Sequence, residues 1–357
     1  MIGACSPVGR VHRSLRTIRA PGPVAPGPVA PGPVAPAPRL AAVVVFALAL
    51  AAMLLPPRAA AADVAVVARQ VSPHGWFVQG EAGMASAANQ GFMSNAGFVV
   101  TGDGVVVFDA LGTPVLGEAL VREIRRVTGQ PIRRVVVSHY HADHVYGLQA
   151  LQRAGATIWA HHAGRAYFTS GVADERLAQR RADLYPWVDE KTRVVPPDLW
   201  LDGDTDFRMG GLTFRLLWSG GAHSPEDMMM MVVEDRLLFA GDLVFAGRVP
   251  FVGNADSKGW LGALDRMVAL DPAVALPGHG PASKDVARDL VLTRDYLRFL
   301  RETMGRAVAD LEPFDEAYAR VDWSRWRDLP AFEAANRTNA YGTYLRMEQE
   351  SLDGARR

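Results

Sequence analysis

Short runs of β-branched and aromatic residues, each closed by glycine or a polar residue, recur through the middle of the chain. They predict strands at Gly97 to Val100, Val105 to Phe108, Ile132 to Val137, Thr157 to Ala160, Leu212 to Trp218, Leu237 to Ala240 and Val274 to Leu276. The first two are joined by Thr101-Gly102-Asp103-Gly104, residues that favour a hairpin turn. Between the runs the period lengthens. Leu116, Leu120, Ile124 and Val127 recur at helical spacing across Thr113 to Val127, and a further helix opens at Gly147. Helices are also expected at Ser257 to Leu270, Lys284 to Ala309 and Pro330 to Leu352; Val291, Leu297, Leu300 and Val308 supply one apolar face. Met228 to Met231 falls in a strand before a Glu234-Asp235 turn and reads as core packing rather than a copper or redox site.

Polar residues gather at the carboxyl ends of these strands. After Val137 comes His139-Tyr140-His141-Ala142-Asp143-His144, three imidazoles and a carboxylate on a strand-to-helix turn. Imidazole and carboxylate offer lone pairs at neutral pH and suit zinc, iron or manganese. Two His one residue apart can grip one ion, and the following Asp and His point to a second. The same grammar repeats with His223 in Gly220 to Pro225, Asp242 after Gly241, and His279 within Pro277 to Gly280. A lone His or Asp is more often a cap or a satisfied core group, but repetition beside a His cluster reverses that expectation. Asp109, just after a predicted strand, is expected either to orient a metal-ligating His or to cap the next segment. His161 and His162 are read as structural, because neighbours at a strand end point in opposite directions. Glu226 and Asp227 are read as solvated loop charges, whereas Arg248 and Phe251, following Asp242, are candidates for substrate contact.

Composition narrows the setting. Across 357 residues the formal net charge is zero, so no overall electrostatic footprint for nucleic acid or an anionic membrane exists. The first sixty residues differ from the rest. Arg10, Arg13, Arg16 and Arg19 precede a repeated Pro-Gly-Pro-Val-Ala segment, then the apolar run Ala41 to Leu55 and the small residues Ala59 to Ala62. That run is short of the roughly 20 residues a membrane span needs. The order of charged, apolar and small residues is that of a secretory signal cleaved near Ala62, with a retained N-terminal anchor as the alternative. The expected organisation is therefore a presequence over 1–62, a catalytic domain over 63–283 and a helical extension over 284–357, in a periplasmic or secreted protein. The sole cysteine, Cys5, lies upstream of the apolar run, which leaves only nitrogen and oxygen donors in the mature chain.

The spacing His139-x-His141-x-Asp143-His144, followed in order by His223, Asp242 and His279, resembles the metallo-β-lactamase superfamily of metallohydrolases, over roughly Trp76 to Lys284. The resemblance implies an α/β fold, a four-layered αβ/βα sandwich with metals at the edge where two sheets meet. It also implies that His139, His141 and His223 hold one ion, that Asp143, His144 and His279 hold the other, and that Asp242 bridges them; Asp109 matches the first motif. Aspartate at 242, where one large group of true β-lactamases has cysteine, resembles thioesterase-like hydrolases of the glyoxalase II type. Ala240 to Phe251, Trp260 and Asn336 to Tyr344 resemble the secreted zinc metallohydrolases of quinoprotein relay and thiosulfate-oxidation clusters. The expected function is a dinuclear zinc hydrolase, with Asp143 or Asp242 orienting a water whose pKa the ions lower toward about 7 and taking its proton. The substrate would be a small molecule with an ester, thioester or amide-like bond. A sulfur-oxidising iron enzyme, a β-lactamase and a metal-binding accessory protein of a relay are the alternatives. The resemblance also argues against nucleic acid as a substrate, since nucleases of the superfamily carry an added domain or long insertion where only a loop and one helix separate Asp242 from His279 here. The C-terminal helices are expected to pack on the sandwich or to complete a homodimer, and no stable membrane partner is expected after signal cleavage.

Overall fold

The structure, a computed structural model, describes residue 27 and residues 64–355. The expected presequence, with its repeat, apolar run, Cys5 and cleavage point near Ala62, lies outside these residues. Residues 64–355 lie within one compact unit.

Twelve strands among the described residues make two sheets. The first runs in chain order, β1 (Ala68–Gln70), β2 (Gly75–Val78), β3 (Ala96–Val100), β4 (Val105–Phe108), β5 (Ile132–Val136), β6 (Thr157–His161) and β7 (Leu199–Leu201). It is antiparallel as far as β4 and parallel beyond. The second contains β8 (Thr205–Met209), β9 (Leu212–Trp218), β10 (Met228–Val232), β11 (Leu237–Phe245) and β12 (Val274–His279), in the order β12-β11-β10-β9-β8. Only β11 and β12 pair in parallel there.

Alternation along the strands builds three apolar layers. Val105 and Val107 face helix α1 (Pro114–Val127), whose Leu116, Leu120 and Ile124 are fully buried, while Val106 and Phe108 face the second sheet. Thr113 caps α1 through its side-chain oxygen, which accepts from the Leu116 amide. The methionine run divides in the same way. Met228 and Met230 pack between the sheets, and Met229 and Met231 pack outward, so core packing accounts for all four. Two short helices, α2 (Ala142–Val145) and α3 (Leu148–Arg153), follow β5; α4 (Arg165–Thr169) and α5 (Val172–Leu184) follow β6. The outer face of the second sheet is covered by α6 (Ser257–Ala269), α7 (Val286–Asp289), α8 (Val291–Ala309), α9 (Phe314–Arg320) and α10 (Phe332–Ala355). The result is the four-layered α/β sandwich with a helical C-terminal region.

Two strand ends at the site run past the sequence pattern, and the helix expected over Lys284 to Ala309 is divided into α7 and α8. β11 does not stop at Ala240 but continues to Phe245, with its register against β12 shifting around Gly241. β12 likewise runs on through Pro277 and Gly278 to end on His279. Among the described residues no helix is long and apolar enough to cross a membrane.

Candidate metal centre

The donors converge because several strands end at one edge. β5 leads into His139 and His141, α2 carries Asp143 and His144, the loop after β9 carries His223, and β11 and β12 supply Asp242 and His279. The bulge in β11 depends on Gly241. Its φ of 54° is a left-handed value, and a Cβ there would lie 2.7 Å from Cβ of Ser138. Gly278 serves differently, since a Cβ at that position would collide with Oδ1 of Asp242. Asn95 secures the last turn: its amide nitrogen donates to the carbonyls of Pro277 and Gly280, both at 2.8 Å. No pattern in the sequence marks Asn95.

Two donor groups result. His139, His141, His223 and Asp242 form one, Asp143, His144 and His279 the other, with the ligand atoms of each group within 4.8 Å of one another. Asp242 faces both. Its Oδ2 lies 3.4 Å from Nε2 of His223 and 3.8 Å from Nε2 of His139, while its Oδ1 lies 3.1 Å from Nε2 of His144 and 3.3 Å from Nε2 of His279. Oδ2 of Asp143 sits 3.3 Å from Nε2 of His279 and 3.5 Å from Nε2 of His144. Nδ1 of His141 and Nε2 of His223 face one another at 2.9 Å. Nε2 of His139 is buried with no hydrogen-bond partner, and Nε2 of His144 and Oδ1 of Asp242 have only each other and the other ligands to face. An unpartnered atom such as Nε2 of His139 costs about 1–3 kcal/mol. Ions accepted by these lone pairs would remove that cost, and the nitrogen and oxygen set fits zinc, iron or manganese.

Three of the five rings are fixed on their far side. Nδ1 of His144 donates to Oδ2 of Asp109 at 2.8 Å, and Nδ1 of His279 donates to the Met93 carbonyl at 2.8 Å. Nδ1 of His139 meets Oγ of Ser138 at 2.8 Å, and that hydroxyl donates to Oδ2 of Asp109, also at 2.8 Å. Asp109 thus reaches one ring of each donor group, directly or through Ser138, and leaves their Nε2 lone pairs facing inward. Burial, reinforced by His223, pushes His141 down to about 3, and burial pushes His223 down to about 4. His139 is also held well below the usual imidazole range, by burial and then by His144 and His141. These three are neutral lone-pair donors. For His144, burial is outweighed by Asp242, Asp143 and Asp109, which hold it well above the usual range. Asp143 and Asp242 resist the upward push of burial because His144 and His279 keep both carboxylates well below the ordinary value.

Residues around the centre divide into support and rim. Glu226 and Asp227 are buried, not solvated loop charges. Glu226 accepts from the Tyr140 amide at 3.1 Å between the two ligands His139 and His141, and Asp227 accepts from the amide and hydroxyl of Ser224 at 2.6 and 2.8 Å, next to His223. Their exposure could not be read from sequence because their partners lie on folded turns. Burial raises both carboxyls, Asp227 strongly. Trp260 is fully buried, its ring 5.1 Å from that of His223, so it backs the ligand. Arg248 is also buried; Nη1 donates to the Gly83 carbonyl at 2.8 Å and lies 3.4 Å from Nδ1 of His279. Phe251 is at the rim, 39% exposed, with its ring 6.2 Å from that of His141. Asn254 is exposed on the same loop. His161 and His162 stand apart from the donor groups, and the His161 ring stacks on Trp218 at 4.5 Å.

A two-sheet sandwich with two imidazole and carboxylate groups at its edge is the arrangement of a metal-dependent hydrolase. The family model for the metallo-beta-lactamase superfamily matches residues 89–279, and the chain belongs to that superfamily. Among curated relatives, the beta-lactamase-like protein 2 homolog of Caenorhabditis elegans is 21% identical over 241 residues, covering 65% of this chain and 72% of that protein. A linear primary-alkylsulfatase of a Pseudomonas species is 23% identical over 236 residues, covering 56% of this chain and 44% of that protein. Among solved structures, a metallo-beta-lactamase from Pontibacter korlensis aligns with a TM-score of 0.52 at 23% identity, over 65% of this chain and 99% of that one. A stereoselective inverting sec-alkylsulfatase from Pseudomonas aligns with a TM-score of 0.58 at 19% identity, over 79% of this chain and 50% of that one.

Proposed function

We propose that the chain is a periplasmic or secreted dinuclear zinc hydrolase of small molecules bearing an ester, thioester or amide-like bond. The observation that carries this reading is the Asp242 carboxylate, one oxygen toward His139 and His223 and the other toward His144 and His279. When bound, the ions supply Lewis acidity and bring the pKa of water toward neutrality. The chain's own residues hold and orient. His139, His141 and His223 present neutral nitrogens, and Asp109 fixes the tautomer of His144. Asp143 or Asp242 is the carboxylate that would orient the attacking water and take its proton. The basic and apolar presequence supports export.

The alkylsulfatase relatives add sulfate esters to the substrates worth testing. Protein purified without added metal should carry two zinc per chain and turn over at least one member of a panel of thioesters, lactones, β-lactams and sulfate esters. His141→Ala should abolish that turnover and lower the zinc content. One iron per chain would replace the zinc reading with an iron enzyme. Unchanged turnover in His141→Ala would remove the hydrolytic assignment altogether.

A further inference from the structure

The loop between Asp242 and α6 is held from a distant part of the chain. Asn339, in the interior of α10, is fully buried and spends its whole amide on this task. Oδ1 accepts from the amides of Val252 at 2.7 Å and Gly253 at 3.1 Å, and Nδ2 donates to the Pro250 carbonyl at 2.7 Å. The second Nδ2 proton goes to the Tyr296 hydroxyl at 3.0 Å. That hydroxyl donates to Oδ1 of Asn336 at 2.8 Å, and Nδ2 of Asn336 reaches the Tyr318 hydroxyl at 3.0 Å. Two donors and two acceptor sites are therefore filled, and a flipped amide would set its NH2 group against two backbone N–H groups. Closer contact reinforces the grip. A Cβ on Gly342 would run into the Gly253 carbonyl, and the Val249 amide donates to the Pro330 carbonyl at 3.0 Å.

The residue inside this clamp is Phe251, the rim aromatic whose ring stands nearly perpendicular to that of His141, at 81°. Its neighbours Val249 and Val252 are buried, so the loop turns one large apolar group outward beside a candidate ligand and keeps the rest inside. We propose that Asn339 is a positioning residue that presents Phe251 to an apolar alkyl or aryl portion of the substrate, adjoining the bond that is cleaved. The helical C-terminal region thereby supplies part of the substrate wall. This inference rests on the hydrolytic reading above for its substrate, but not for its clamp.

The test uses the zinc-loaded full chain and p-nitrophenyl acetate, butyrate and octanoate as probes. In the wild type kcat/KM should rise with acyl length. Phe251→Ala should flatten that rise by about tenfold on octanoate, mainly through KM. Asn339→Ala, or the similarly sized Asn339→Leu where the alanine variant folds poorly, should reproduce the flattening at unchanged zinc content. In the Phe251→Ala background the Asn339 substitution should add nothing further. Hydrogen exchange supplies a reading independent of turnover: the Val252 and Gly253 amides should lose protection in either Asn339 variant. Additive effects on octanoate, a chain-length dependence that survives the Asn339 change, or amides that stay protected would each overturn the proposal. If the wild type cleaves none of these esters, the hydrolytic reading is decided by the wider panel above and the present proposal by octanoate binding in calorimetry: weaker binding in both variants supports the placement of Phe251, and equal binding overturns it.

Discussion

Asp109 shows how much one carboxylate can organise. It directly follows β4 with a φ of 61°, a left-handed conformation that aspartate tolerates better than most residues. There Oδ1 accepts the Ser138 amide at 2.8 Å while Oδ2 receives the Ser138 hydroxyl and Nδ1 of His144. Asparagine at this position would turn an NH2 group toward one or both of those donors or lose one of the contacts, so the rings they hold would be freed. Asp109→Asn should therefore weaken metal binding by about 10- to 100-fold. The loss should be larger for the ion held with His144, which Asp109 touches directly, than for the ion held with His139, which it reaches through Ser138. Chelator competition followed by metal analysis would resolve two affinities in the variant. Equal losses at both, or none, would show that Asp109 does not set ring orientation.

Elements join across the sandwich through a polar contact that carries a pH dependence. Asp235, in the turn between β10 and β11, accepts from the Ser72 hydroxyl at 2.5 Å, the His74 amide at 2.8 Å and Nδ1 of His74 at 2.8 Å, in the turn between β1 and β2. Burial pushes this carboxyl upward, but the bonds from Ser72 and His74 win and hold it below its ordinary value. A depressed folded pKa means stability that is present above the unfolded value of about 3.9 and lost as pH falls through the folded value. Asp235→Asn should lower stability near pH 7 by about 1–2 kcal/mol, reduced by the solvent reaching His74, which is 42% exposed. Urea unfolding at pH 7 and pH 3 should find the gap between variant and wild type closing at the lower pH; a constant gap would mean that the charge of Asp235 plays no part. Such contacts are also where the sequence pattern falls silent. β4, β5 and β9 were legible because their residues alternate or are β-branched throughout, and the His139 to His144 run declared its chemistry by density alone. The continuation of β11 past Gly241 was not, since a bulge and a strand end place the same glycine before the same aspartate. Glu226, Asp227 and Asn95 were missed or misread for one reason: each is defined by backbone groups far along the chain or on a folded turn.

At the scale of the whole molecule, the C-terminal helices cannot be treated as an appendage to the sandwich. Tyr296, Leu297, Leu300 and Met304 on α8 are fully buried with Met229, Met231, Leu238 and Phe245 of the second sheet in one apolar cluster. Burying four such side chains contributes about 6–12 kcal/mol at about 1.5–3 kcal/mol each. That is comparable with the whole net stability of a domain, about 5–15 kcal/mol. It is also an upper estimate, because the unfolded chain already hides part of this surface. A chain ending at Ser283 would keep every candidate metal ligand from His139 to His279, both sheets and α6, yet lose the apolar cover that α8 gives the outer face of β10 and β11. We expect that truncated chain to lack a cooperative thermal transition and to aggregate, even with zinc present, whereas the chain extending through α10 should melt in a single transition. Circular dichroism and light scattering on the two proteins would decide. A truncated chain that melts cooperatively and binds two ions would mean that the sandwich folds without its helical cover, and the clamp from Asn339 would then act on an already folded catalytic domain rather than as part of one cooperative unit.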